Sequence, residues 1–115
     1  MSSARSTALI RAVSAWIDSS PQNAGRDHEA LLWGRVAKVG EEAGEVIAAL
    51  VGATGHNPRK GQSATLKDVE YELLDTAMTA LAAIAHLHAH DVDPPDPLVL
   101  LDEHVLAVAR RAGLA

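Results

Sequence analysis

The chain has 115 residues, a net charge of −5 and no cysteine. It has room for one domain and none for a disulfide framework, a thiolate zinc site or a cysteine nucleophile. Hydrophobic residues make up 48%, which excludes wholesale disorder, and the acidic balance excludes a backbone-tracking nucleic-acid surface.

In chain order, a first helix is expected over roughly Ser6 to Asp18, where Leu9, Ile10, Val13, Trp16 and Ile17 recur at helical spacing. The turn-rich run Ser19-Ser20-Pro21-Gln22-Asn23-Ala24-Gly25 ends it. A second helix runs from His28 to about Val51 behind Asp27, a ready N-cap. Its apolar stripe is Leu32, Val36, Val39, Ala43, Val46/Ile47 and Leu50. A Gly-bounded linker follows, from Gly52 to Gln62. The third helix spans roughly Leu66 to His90, with Thr65 and Asp68 as a short capping box. Its stripe is Leu66, Val69, Leu73, Ala77, Ala80/Leu81, Ile84 and Leu87. Asp96 and Pro97 open a fourth helix, which carries Leu98, Leu101, Val105 and Val108 and fades at Gly113.

No segment alternates with period two for long enough to make a strand. The composition agrees: Ala (22) and Leu (14) dominate, and Phe is absent. An all-α bundle of four to five helices, one domain over 1–115, follows. An Ala-rich core is thin, since each Ala buries little area, so a homodimer or homotetramer is expected to complete it. The longest run without a charged residue, Thr76 to His90, is too short to span a bilayer. The N-terminus has no apolar signal core, so a cytoplasmic protein without membrane partners is the expectation.

Chemistry concentrates on two helices. The second carries Lys38-Val-Gly-Glu41-Glu42-Ala-Gly-Glu45, the third Asp68-Val-Glu70-Tyr-Glu72-Leu-Leu-Asp75. Residues three or four apart share a helix face. Arg35, Lys38, Glu42 and Glu45 therefore form one row, and Asp68, Glu72, Asp75 and Thr79 another. In an antiparallel pair the two rows converge. Exposed helices usually set Lys or Arg four residues after Glu. Here Glu45 is followed by Ala49, Glu72 by Thr76 and Asp75 by Thr79. Carboxylates clustered without cations suit a cation from outside, and an all-oxygen donor set favours Mg²⁺ or Mn²⁺ over zinc.

These residues resemble a family. Glu42-x-x-Glu45 followed by Glu72-x-x-Asp75 is similar to the paired signature of the all-α nucleoside triphosphate pyrophosphohydrolases, specifically the MazG-like group. Lys38 to Val46 resembles that group's first motif helix. Glu72-Leu-Leu-Asp75 resembles the second, which more often has Gly before the Asp. The linker Gly55-His-Asn-Pro-Arg-Lys-Gly61 looks like that of a small actinobacterial-type subgroup. The resemblance covers about 30–90.

The resemblance implies a Mg²⁺-dependent enzyme that splits a nucleoside triphosphate into the monophosphate and pyrophosphate, as in nucleotide-pool house-cleaning. It implies Glu42, Glu45, Glu72 and Asp75 as the metal-binding acids. A triphosphate is an anion, and only bound metal makes an acidic site attractive to it. Glu41, one step round the helix, is open to two roles: general base, or ligand to a further metal. Lys38, Arg35, Arg59 and Lys60 are the candidate phosphate contacts. Trp33 is open to base stacking or packing, whereas Trp16 suits packing.

Two other readings stand beside this one. Lys38 to Ala43 with Val46-Ile-Ala-Ala49 also resembles phosphoribosyl-ATP pyrophosphohydrolase of histidine biosynthesis, but its Tyr-His pair after the second motif is replaced here by Thr76-Ala-Met-Thr-Ala80, and the long linker fits it poorly. A non-catalytic helical interaction module keeps the scaffold without the chemistry. His86 and His90 are spaced to share a metal, yet no third ligand accompanies them, and a helix C-terminus favours imidazolium in any case. No Gly-x-Ser-x-Gly elbow and no P-loop is present.

Overall fold

The computed structural model describes Ser2 to Ala115 and contains four α-helices: α1 (Ser3–Ser19), α2 (His28–Thr54), α3 (Leu66–Leu87) and α4 (Pro97–Arg111). No strand occurs among the described residues, as the all-α expectation required. None of these helices is long and apolar enough to cross a membrane.

The helix ends follow local chemistry. Helix α1 starts three residues before its expected position because the Ser2 side chain accepts a hydrogen bond from the Arg5 N–H (3.2 Å). Asp27 caps α2 through the Ala30 N–H (2.8 Å). Gly55, in the left-handed region with φ 64°, ends α2. The capping box of α3 is reciprocal: Asp68 accepts from the Thr65 N–H (2.8 Å), and Thr65 Oγ1 accepts from the Asp68 N–H (3.2 Å). Asp96 caps α4 through the Leu98 N–H (2.8 Å), with Pro97 in the first turn. Helix α3 stops at Leu87, short of the expected His90. The chain turns there, and His88 Nδ1 meets Asp91 Oδ2 at 2.8 Å.

The chain groups into two compact units. The terminal unit holds α1, the end of α3 from Leu81 onward, and α4. In it α1 packs on α4, and Ile10, Ala82 and Ala83 are its buried apolar residues. Polar bonds pin the same unit. The Thr7 hydroxyl donates to Asp96 Oδ1 (2.7 Å), and Arg11 donates to the carbonyls of Pro94 and Pro95. Asp18 Oδ2 lies 2.6 Å from Nδ1 of buried His86.

The central unit, Arg26–Ala80, holds α2 and the first part of α3. Two points of approach set their direction. Gly52 lies against Ser63 and Ala64, while Glu42 and Glu45 lie against Glu72. Positions fall along α2 as they rise along α3, so the two helices run antiparallel.

Burial in this unit departs from the sequence-predicted stripes. Of the α2 stripe, Leu32, Val39 and Val46 are half-buried, but Val36, Ala43, Ile47 and Leu50 are exposed. The covered side of α2 is instead centred on Arg35, Val39, Glu42 and Val46. On its part of α3, Leu66, Leu73 and Ala77 are exposed, while Val69 and Ala80 are partly covered together with Glu72, Asp75, Thr76 and Thr79. Apolar burial alone would turn both helices further toward their stripes. The rotation observed half-buries Glu42, Glu72 and Asp75 and leaves part of each apolar stripe outside.

Candidate metal centre

The hairpin of α2 and α3 brings one carboxylate oxygen each from Glu42, Glu45 and Glu72 within 4.8 Å of one another. Glu42 and Glu45 come from successive turns of α2, and Glu72 reaches them from the facing turn of α3. Glu42 and Glu72 are half-buried and Glu45 is exposed. Oε2 of Glu42 and Oε2 of Glu72 are buried and have no hydrogen-bond partner. A buried carboxylate oxygen without a donor is costly, and here two such oxygens share a site.

The charges act on one another. The Glu45 carboxyl is held above its ordinary value, chiefly by the charge of Glu42, then by desolvation, then by Glu72. Lys38 is the cation at the edge of the trio. Its ammonium contacts Glu41 (3.1 Å) and Glu42 (3.3 Å), and these bonds raise its pKa. It reaches Oε1 of Glu42 and leaves Oε2 unpartnered.

The structure gathers three of the four acids expected to bind metal. Asp75, the fourth, is half-buried one turn beyond Glu72 and lies outside the close trio. Glu41 is exposed beside Lys38. Arg35, a candidate phosphate contact, is 5% exposed and already engaged within the protein, so it is not presented at the surface. Trp33 is 72% exposed. Nine residues separate it from Glu42, roughly two and a half turns, which puts it on the opposite side of α2 from the acidic row. Trp16, expected to pack, is instead 71% exposed.

The linker folds back along α2. The Ser63 N–H donates to Gly52 O (3.0 Å), and Gln62 Nε2 donates to Ala53 O (3.1 Å). A side chain at Gly52 has no room: a Cβ there would stand 2.9 Å from Ser63 Oγ and 3.0 Å from Ala64 Cβ. Arg59 and Lys60, both candidate phosphate contacts, are exposed on this loop. Lys60 also lines a depression of about 200 Å³ together with Ala48, Gly52, Asn57 and Ser63. Asn57 was not among the sequence-derived candidates. The turn-forming Asn57-Pro58 pair was its visible signal.

A chelating set of carboxylates with a lysine at its rim can hold a hard divalent cation and present it to an anion. Comparison of the chain with family models, curated proteins and solved structures gives no match.

Proposed function

We propose that the protein is a Mg²⁺- or Mn²⁺-dependent nucleoside triphosphate pyrophosphohydrolase of the MazG-like type. The observation that carries this reading is the pair of buried, unpartnered oxygens, Glu42 Oε2 and Glu72 Oε2, beside Glu45. An all-oxygen set of that kind fits a hard divalent ion. Glu42, Glu45 and Glu72 would hold the ion, with Asp75 one turn away as a further ligand. When bound, the ion supplies positive charge that offsets the phosphate oxygens.

The chain's own groups have separable tasks. Lys38 lies at the rim of the trio and is the nearer candidate for a phosphate oxygen; Lys60 and Arg59 on the folded-back loop are the others. Glu41 is the neighbouring carboxylate outside the trio, which makes it the candidate to take a proton from the attacking water. Cleavage between the α- and β-phosphates rests on the motif resemblance. Assay of a panel of nucleoside triphosphates with Mg²⁺ in ¹⁸O-water tests the reaction. Label in the monophosphate with unlabelled pyrophosphate is expected. Stepwise release of orthophosphate, or no hydrolysis of any nucleotide, would remove the assignment.

The same proposal includes a homo-oligomer. Trp33, Val36, Ile47 and Leu50 form an exposed apolar side of α2, and exposed patches of this kind mark association surfaces.

A further inference from the structure

We infer that Asn57 is a positioning residue which fixes the α2–α3 loop so that Lys60, at the depression on α2, takes the outer phosphates of a bound triphosphate. The inference rests on the pyrophosphohydrolase reading and assigns the loop's part in it. Asn57 organises the loop with two of its oxygens. Its side-chain Oδ1 accepts from the Arg59 N–H (3.1 Å), and its main-chain O accepts from the N–H groups of Lys60 (3.2 Å) and Gly61 (2.9 Å). Gly61 completes the turn at φ 63°, a conformation that favours glycine. The far end of the loop is tied down by the Ser63–Gly52 hydrogen bond and the close approach at Gly52.

The depression lies beside the acidic row. Ala48 is on its wall and follows Glu45 by three residues, about 4.5 Å of helix rise on a neighbouring face. Gly52 and Ala48 supply no bulk, so the floor is low and the wall opposite is the loop. Lys60 is the one charged residue that lines it. Arg59, its neighbour, does not line it. A lysine suits this task as a compact point charge for a phosphate oxygen. A triphosphate engaged by the Glu42–Glu45–Glu72 centre and running toward the α2 C-terminus brings its outer phosphates to Lys60. The acidic chain otherwise offers such a tail mostly repulsion. Because the loop is already tied down, little ordering cost falls on binding.

The test compares the wild-type chain with Lys60→Gln, Asn57→Ala and Asn57→Ser. Hydrolysis is measured across triphosphate concentrations with Mg²⁺, and tripolyphosphate with Mg²⁺ is titrated calorimetrically into each protein. Lys60→Gln and Asn57→Ala are expected to raise KM and weaken tripolyphosphate binding on the order of tenfold, the loss of one charge-assisted contact, with kcat little changed. Asn57→Ser, which retains a turn-forming oxygen, should recover much of the loss. Unchanged KM and unchanged tripolyphosphate affinity in Lys60→Gln overturn the inference. So does an Asn57→Ala protein that binds tripolyphosphate like the wild type. Should Asn57→Ala fail to fold, Lys60→Gln and Asn57→Ser still decide. A wild-type chain that hydrolyses nothing but binds tripolyphosphate through Lys60 removes the hydrolase reading and supports the subsite. An active enzyme indifferent to both residues does the reverse.

Discussion

Glu42 on α2 and Glu72 on α3 face each other with one buried, unpartnered carboxylate oxygen apiece. Both belong to a trio whose oxygens lie within 4.8 Å. Without a cation this arrangement works against folding. A cation that binds only the folded chain stabilises it by mass action, by about 2.7 kcal/mol at a hundredfold excess over Kd. Mg²⁺ or Mn²⁺ is therefore expected to raise the melting temperature in a concentration-dependent way. Glu72→Gln replaces one carboxylate by an amide that can donate to Glu42. It should melt higher than the wild type without metal and lose the response to metal. Equal metal responses in the two proteins would refute the assignment of Glu72.

Glu45 adds a pH dependence whose sign is fixed. Its carboxyl is raised above the ordinary 4.5, with Glu42 the first cause. The folded chain thus holds this proton at a pH where the unfolded chain has released it. The associated stability is complete below the ordinary value and is lost as pH rises through the raised one. Metal-free protein should lose stability across that window. Glu45→Gln should flatten the slope, and it should also abolish Mg²⁺-dependent turnover. Urea melts of both proteins at a series of pH values check this. Parallel curves would sink it.

How much of this was legible in the sequence depends on which force decided each feature. Helix boundaries are local, so Asp27, Thr65 with Asp68, and Asp96 with Pro97 announced three of the four starts. The carboxylate rows were legible from spacing, and Glu42, Glu45 and Glu72 do meet. Helix rotation was not legible. Periodicity marks an apolar side, but it cannot say that the covered side is turned from it by part of a turn, toward Arg35 and Glu42 with Val39 and Val46 shared. The Asn57-Pro58 pair marked a turn, but where the loop lands on α2 was hidden. Burial of His86 against Asp18 pairs residues 68 apart in sequence, a distance at which no spacing rule operates.

Thr7 and Asp96 couple the start of α4 to α1 through a 2.7 Å hydrogen bond, and Thr7 is 4% exposed. That bond is the first cause of the lowered Asp96 pKa. A depressed carboxylate contributes stability above its ordinary value, 3.8, and loses it as pH falls through the lower folded value. Thr7→Val keeps shape and removes the donor. It should lower stability near neutral pH, because the charged Asp96 loses its hydrogen-bond donor. The difference from wild type should shrink in acid below the ordinary Asp value. A constant difference down to the acid limit would contradict the coupling.

Gly52 tests the loop clamp. In a helix, Ala is favoured over Gly by about 0.8–1.0 kcal/mol. Against that, a Cβ here meets Ala64 Cβ at 3.0 Å as well as Ser63 Oγ at 2.9 Å. The serine can rotate away, but the alanine cannot, so the loop must shift, and overpacking costs about 1–3 kcal/mol. Gly52→Ala is expected to lower stability by about 1 kcal/mol net in chemical denaturation. A more stable variant would mean that the loop yields freely.

The exposed apolar side of α2 decides between a monomer and an oligomer. Ile47 is 64% exposed and Val36 56% exposed, on the opposite side of the helix from Glu42. In a monomer, a surface substitution at such a position changes stability by no more than about 0.5 kcal/mol. In an oligomer that seats this side against another copy, a charge at Ile47 would be stripped of water without a partner, a penalty of several kcal/mol. Ile47→Glu therefore separates the two cases. The wild type is expected to sediment as a dimer or tetramer, with a melting temperature that rises with protein concentration. Ile47→Glu should sediment as the 12.1 kDa chain and melt lower, independently of concentration. Trp33 lies on the same side and gives a second readout: its emission should shift to the red on dissociation, because its ring returns to water. A wild-type chain that stays monomeric at micromolar concentration, with the same melting curve as Ile47→Glu, would end the oligomer proposal.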